Sequence, residues 1–387
     1  MKEFENIKNI IRQGQYRALQ AANYYLLQVY WQVGGYISNQ LTNKTWGDKI
    51  IDNLAEWLKA DDASLKGFDR RSLYRMKEFY ETWSIKEISE LALKTLPAYI
   101  ISPADANFQN IDYQPIVIVG SVTQQLQNKT NIIESQIVGT VSPQLANMPA
   151  FLKKITWSHH LELLNRTTSN EEKIFYIGLA IKEKYTVREL RRQIESSLFE
   201  RQMLSSSMLQ VTHPQKDKIN TIFKDTYIAE FLSLPEPHSE KELHKGLIAK
   251  MKDFILELGR DFIFIASEFK IQVGMDDYFI DLLFYHRDLQ CLVAFELKTN
   301  AFKPEHLGKM DFYLEALDRD VKKQAENPSI GILLCKTKNK EVVEYALSRS
   351  LSPAMVAKYE TRMPDKKLLQ QKIHELAESG YFGFTEK

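Results

Sequence analysis

Tyr278-Phe279-Ile280-Asp281-Leu282-Leu283-Phe284-Tyr285, followed after a short turn by Cys291-Leu292-Val293-Ala294-Phe295-Glu296-Leu297-Lys298, is the stretch on which the reading of this chain turns. Each run has strand length and is bounded by turn residues, Gly274–Asp277 before the first and His286–Leu289 between the two. Side chains alternate faces along a strand, so a run that is apolar on both faces is normally buried on both. Asp281 shares a face with Phe279 and Leu283, and its neighbours Ile280 and Leu282 are apolar on the other. An ionised carboxylate in such a place is costly unless it is paired or bound to a cation. Glu296 and Lys298 share one face at the end of the next run. Two adjacent strands thus aim an Asp, a Glu and a Lys at one spot.

Working outward, Glu242–Leu258 reads as an amphipathic helix stopped by Gly259, and Phe262–Val273 as a strand. Pro304 opens a helix to about Asp318, Ser329–Cys335 is a fourth strand, Lys340–Arg349 a helix, and Met355–Tyr359 a last strand. The order α-β-β-β-α-β predicts a mixed sheet flanked by helices, an α/β domain over residues 240–370 with a tail at 371–387.

Those residue types suit phosphodiester hydrolysis. Mg²⁺ (or Mn²⁺) takes carboxylate oxygens and keeps several waters, which leaves room for a phosphate. Such an ion can lower the pKa of bound water and neutralise charge in the transition state. Lys298, beside Glu296, could orient the attacking water or stabilise developing negative charge. Lys309 and Tyr313, four apart on the next helix, would face the site together and touch phosphate. A second reading stays open, in which Asp281 and Lys298 form a buried structural ion pair. Glu-x-Lys alone decides nothing, because Glu171-Glu172-Lys173 and Glu268-Phe269-Lys270 repeat it in the same chain.

The N-terminal part reads as helical. Apolar residues at helical spacing run from Tyr24 to Ile37, and Trp46–Leu58 is a second amphipathic helix. After the Gly-containing break Ala63–Phe68, Asp69 is placed to cap a helix that carries Arg70, Arg71 and Arg75, a helix-turn-helix-like unit whose arginines could meet nucleic-acid phosphates. Residues 95–150 are poor in charge and interrupted by prolines, with one β-like stretch, Ile116–Val119, and read as an insertion of strands and loops. Helices resume at Trp157–Leu164 and Glu171–Lys182. Thr186-Val187-Arg188-Glu189 is a capping box that opens a long helix bearing Arg188, Arg191, Arg192 and Arg201. His159 and His160 are adjacent, point differently, and fit capping or core roles better than a shared metal. The Ser-rich break Ser205–Ser207 and the polar stretch His213–Lys218 mark the expected boundary. The domain reading is therefore 1–94 helical, 95–150 insertion, 151–215 helical continuation and 216–239 linker.

With 387 residues, 44% hydrophobic and 26% charged, two or three soluble domains are expected. No run is long enough to cross a bilayer, and no export signal is visible at the start, so a cytoplasmic protein is expected. Cys291 and Cys335 lie in apolar runs and read as core thiols of a reducing compartment. The net charge of +1 requires any nucleic-acid contact to use local basic surfaces.

The stretches Phe254–Gly259, Tyr278–Tyr285, Phe295–Lys298 and Gly308-Lys309-Met310-Asp311-Phe312-Tyr313, with Trp157–His160 and Arg188–Ile194 upstream, resemble the YhcG-like PDDEXK nucleases. That resemblance implies a restriction-endonuclease-like C-terminal domain and a helical N-terminal domain that contacts DNA. It implies that Asp281 and Glu296 are metal ligands, that Lys298 is the catalytic lysine, and that Glu257 assists the metal. Relatives often carry Gln where this chain has Lys309, and residues 95–150 depart from the family pattern. The expectation is a Mg²⁺-dependent nuclease acting on DNA, and a homodimer if both strands of a duplex are cut. The competing expectation is a non-catalytic DNA-binding or assembly protein on the same scaffold.

Overall fold

A computed structural model describes residues 2–42, 49–62, 64–101, 148–205, 222–348 and 353–378. The expected strand Ile116–Val119, most of the 95–150 insertion, the stretch His213–Lys218 and the end of the tail lie outside the described residues. The chain divides into two compact units, Met1–Leu190 and Arg191–Lys387, so the division falls before the expected 216–239 linker.

In the first unit, α1 runs from Lys2 to Thr42. It buries Leu27, Trp31 and Ile37 on one stripe, the period of a helix with a single core face. α2 (Ile50–Asp61) and α3 (Arg70–Trp83) pack there, with Ile37, Ile51, Leu73 and Met76 at the centre. Asp69 caps α3, its side chain accepting from Ser72 N at 2.8 Å. The connection between α2 and α3 spans 62–69, longer than the roughly three- to four-residue turn of a helix-turn-helix. Gly34 is where α1 meets α3: a Cβ there would lie 2.0 Å from the Met76 carbonyl oxygen, a backbone atom that cannot swing aside. Gly34→Ala is therefore expected to destabilise this unit by at least about 1–3 kcal/mol, read as a lower urea midpoint.

α4 (Lys86–Thr95), α5 (Trp157–Arg166) and α6 (Asn170–Lys182) complete the unit. His159 closes the start of α5, its Nδ1 2.7 Å from Thr156 Oγ1 and its Nε2 2.9 Å from the Tyr185 carbonyl. His160 is fully buried beside Phe79 and Trp83, with Nε2 2.9 Å from the Leu152 carbonyl; burial pushes it down to about 3, so it is a neutral core group. The Thr186 capping box forms as expected, Thr186 N donating to Glu189 at 2.7 Å. The predicted long helix is two, α7 (Val187–Glu195) and α8 (Leu198–Ser205), broken where Ser197 adopts φ +52°.

The second unit is a mixed six-stranded sheet of order β1-β6-β5-β4-β3-β2. β2 (Phe262–Val273), β3 (Asp276–His286) and β4 (Cys291–Ala301) form an antiparallel meander. β5 (Ile330–Thr337), β6 (Ala354–Glu360) and the short edge strand β1 (Thr226–Ile228) extend it in parallel. β4 is central and buried on both faces. Val293, Phe295 and Leu297 join one core cluster, beneath α9 (Glu240–Ala249) and α10 (Met251–Leu258). Leu292 and Ala294 join the other, beneath α11 (Glu305–Ala316). α9 opens with a capping box between Ser239 and Glu242, and Gly259 at φ +129° ends α10 as expected. The helix predicted as one piece is divided at Lys250. The stretch expected as a 216–239 linker contains β1 and a 3-10 turn at Glu230–Leu232, and helices α12 (Lys340–Leu347) and α13 (Lys366–Glu378) finish the unit.

Candidate active site

The ladder between β3 and β4 runs from His286–Cys291 to Leu282–Phe295 and then stops. Asp281 and Glu296 are the next residues in register, where the strands part. Parting leaves the Leu297 amide without a strand partner on that side, and Asp281 Oδ2 accepts from it at 2.7 Å. The carboxylate thereby takes the place of a ladder carbonyl and is held at the mouth of the opening.

Glu296 is 1% exposed. Its Oε1 accepts from Lys309 Nζ at 2.6 Å and lies 3.0 Å from Lys298 Nζ. Its Oε2 is buried and has no hydrogen-bond partner among the described residues. Lys298 also reaches Glu240 Oε2 at 3.2 Å and the Leu297 carbonyl at 3.0 Å. Burial raises the Asp281 carboxyl above its usual range, and the nearby Glu296 charge adds to this. Burial opposes the charge on Lys298 and Lys309, but their contacts with Glu296 outweigh it and hold both ammonium groups above the usual lysine range.

Two carboxylates that repel each other, one with a buried oxygen lacking any donor, fit a hard divalent cation better than they fit each other. Among the described residues no three His, Cys, Asp or Glu groups close around one point. A protein share of two carboxylates leaves coordination positions for water and phosphate, as Mg²⁺ prefers.

Asp281, Glu296, Lys298 and Lys309 are thus brought together. Tyr313 departs from the expectation of phosphate contact. It is 2% exposed and its hydroxyl donates to the Phe279 carbonyl at 2.7 Å, so it ties α11 to the strand that carries Asp281. Glu257 also departs from its expected role at the metal. Its carboxylate accepts from Arg192 Nη1 at 2.8 Å and from the Ile228 amide and Lys224 Nζ at 3.2 Å each, a separate ion cluster at β1. Arg192 is consumed by the same cluster, with further bonds to Glu230 at 2.9 Å and to the Ile228 carbonyl at 3.0 Å, and is not available to a phosphate. Arg188 and Arg191 are exposed. Arg70 pairs with Asp52 and lies 5.4 Å over the Tyr74 ring; Arg71 is exposed and Arg75 half-buried.

Two groups at the site escaped the sequence reading. Glu240 meets Lys298, and His244 Nε2 lies 3.1 Å from the Asp281 carbonyl oxygen, as its donor. They are four apart on α9 and so share a helix side. The capping box at Ser239 places that helix start, and Glu-x-x-x-His just inside it was the available signal.

A mixed sheet whose central strands part around Asp281, Glu296 and Lys298 is the framework of a PDDEXK-type domain. Residues 220–374 match the YhcG PDDEXK nuclease domain, and residues 6–99 and 125–201 match the DUF1016 N-terminal domain. The chain belongs to the YhcG-like PDDEXK nuclease family. It is 33% identical over 215 residues to "Putative nuclease YhcG" of Escherichia coli (strain K12), an alignment that covers 54% of this chain and 57% of that relative. The chain thus spans little more than half of that relative's length. Among solved structures, a repair endonuclease from Pyrococcus abyssi matches at 16% identity and a TM-score of 0.23, over 34% of this chain and 50% of that one.

Proposed function

We propose that this protein is a metal-dependent nuclease that hydrolyses phosphodiester bonds in DNA. The observation that carries the proposal is the orphaned Glu296 Oε2, buried beside a second carboxylate that its charge disfavours. Asp281 and Glu296 would hold Mg²⁺ or Mn²⁺, which supplies a more acidic bound water and neutralises phosphate charge. Lys298, fixed by Glu240 and the Leu297 carbonyl, orients the attacking water and opposes developing negative charge. Lys309, half-exposed at the side chain, binds the phosphate. His244 holds the Asp281 backbone, and Tyr313 holds the same strand at Phe279.

The start of α3, with Arg70, Arg71 and Arg75, and the exposed Arg188 and Arg191 form part of the same proposal as nucleic-acid contacts. So do a reducing cytoplasmic setting, which the buried free thiols Cys291 and Cys335 suit, and pairing of two copies for cutting duplexes. A structural reading has its own support: two ammonium groups on one Glu296 oxygen already make a paired cluster without a metal. The two readings separate in one panel. The purified full chain is offered single-stranded, duplex and branched DNA and RNA with Mg²⁺ or Mn²⁺. Cleavage that a chelator stops is expected; no cleavage with either ion, together with a melting temperature indifferent to both, discards the nuclease.

A further inference from the structure

From the exposed face of α9 and α10 we infer that Lys241, Lys245 and Lys252 form a rail for the nucleic-acid backbone, leading one strand into the candidate active site. The inference rests on the nuclease reading of that site. Leu243 and Leu247 mark the buried face of α9, and Phe254 and Leu258 that of α10, on either side of the break at Lys250. With about 100° per residue, Lys241 and Lys245 lie about 160–200° round from Leu243, and Lys252 about 160° round from Phe254, each on the side of its helix away from the core. All three are exposed, and none makes an ion pair among the described residues.

The same wheel places Glu240 and His244 at about 60–100°, between the core and the lysines. The flank that touches Lys298 and Asp281 therefore borders the lysine stripe directly. The acidic residues Glu242 and Asp253 fall on the opposite flank, and Glu242 is already spent on the Ser239 cap. No acidic residue of α9 or α10 lies within the stripe itself, although the whole chain carries only +1. Ile248, 38% exposed, lies within it and offers an apolar contact to sugars. Lys241 and Lys245 are one helical turn apart, about 6 Å, a spacing that suits neighbouring phosphates of one strand. A polyanion of regular charge spacing is the occupant this complements.

The test is binding in chelator, where no hydrolysis occurs, of a fluorescent mixed-sequence DNA 30-mer, single-stranded and duplex, to the full chain at several salt concentrations. For K241Q/K245Q/K252Q the slope of log affinity against log salt is expected to fall in magnitude by about 2 to 3, because each phosphate contact contributes about 0.7–0.9. K367Q/K372Q, equally exposed on α13, should leave it unchanged, and all three proteins should melt alike. An unaltered slope in the triple variant, or an equal fall in the control, overturns the rail. Cleavage by the unsubstituted chain with Mg²⁺ is scored separately. A nuclease with an unaltered slope refutes the rail alone; an altered slope in a chain that never cleaves keeps the rail and refutes the nuclease.

Discussion

Glu296→Gln is expected to lower nucleic-acid hydrolysis by about three orders of magnitude and to abolish stabilisation by divalent ions. Loss of a cation ligand forfeits several kcal/mol of transition-state stabilisation, and each 1.36 kcal/mol is about tenfold in rate. Glutamine matches the shape of the side chain, so the centre of β4 should keep its packing. The amide can still accept from Lys298 or Lys309 with its oxygen, while its NH₂ group turns donors toward the place a cation would occupy. Thermal melts carry the second half of the prediction. An ion present at about 100 times its dissociation constant stabilises the folded state by about 2.7 kcal/mol, a rise of several degrees for a unit of this size. Unsubstituted protein should show that rise with Mn²⁺, and the variant should not. A variant that still melts higher with Mn²⁺, or cleaves at the parental rate, would remove Glu296 from the site.

The centre of this site was legible because it depends on local alternation. Asp281 and Glu296 are the only acidic members of two largely apolar runs, and a strand period fixes which neighbours they share a face with. The hairpin between β3 and β4 then makes their juxtaposition almost compulsory. Tyr313 was placed with Lys309 on a site-facing side of its helix, but helix spacing says nothing of depth, and at 2% exposure the hydroxyl meets a carbonyl before any substrate. Glu240 and His244 were missed for the opposite reason. Most of their sequence neighbours are charged, as on a solvated helix face, and only packing of α9 against β4 brings them to Lys298 and Asp281. β1 was invisible because three residues display no period; it exists through its parallel pairing with β6, more than a hundred residues later. The same non-local pairing explains Glu257: β1 and Arg192 surround it, and neither could be placed beside it from spacing.

Glu257→Ala should be the most destabilising single change in the second unit, by about 3–5 kcal/mol. The carboxylate is fully buried, with Arg192 and Lys224 bonded to it and Arg201 Nη2 3.7 Å away. Removing it leaves those cations facing one another in a site stripped of water, which costs more than the pair itself contributes. The pH dependence gives an independent reading. Burial alone would raise the Glu257 carboxyl, but the charges of Lys224, Arg201 and Arg192 outweigh it and hold it at about 2. Unfolded, it titrates near 4.5. Because the folded value is the lower one, its contribution is full above pH 4.5 and is lost as the pH falls toward 2. The shift corresponds to roughly 3 kcal/mol. Urea unfolding followed from pH 7 to pH 3 should therefore show the parent losing stability in the acid limb, with Glu257→Ala losing about 2 kcal/mol less across it. Equal acid slopes in the two proteins would mean that Glu257 does not hold its proton off through those cations.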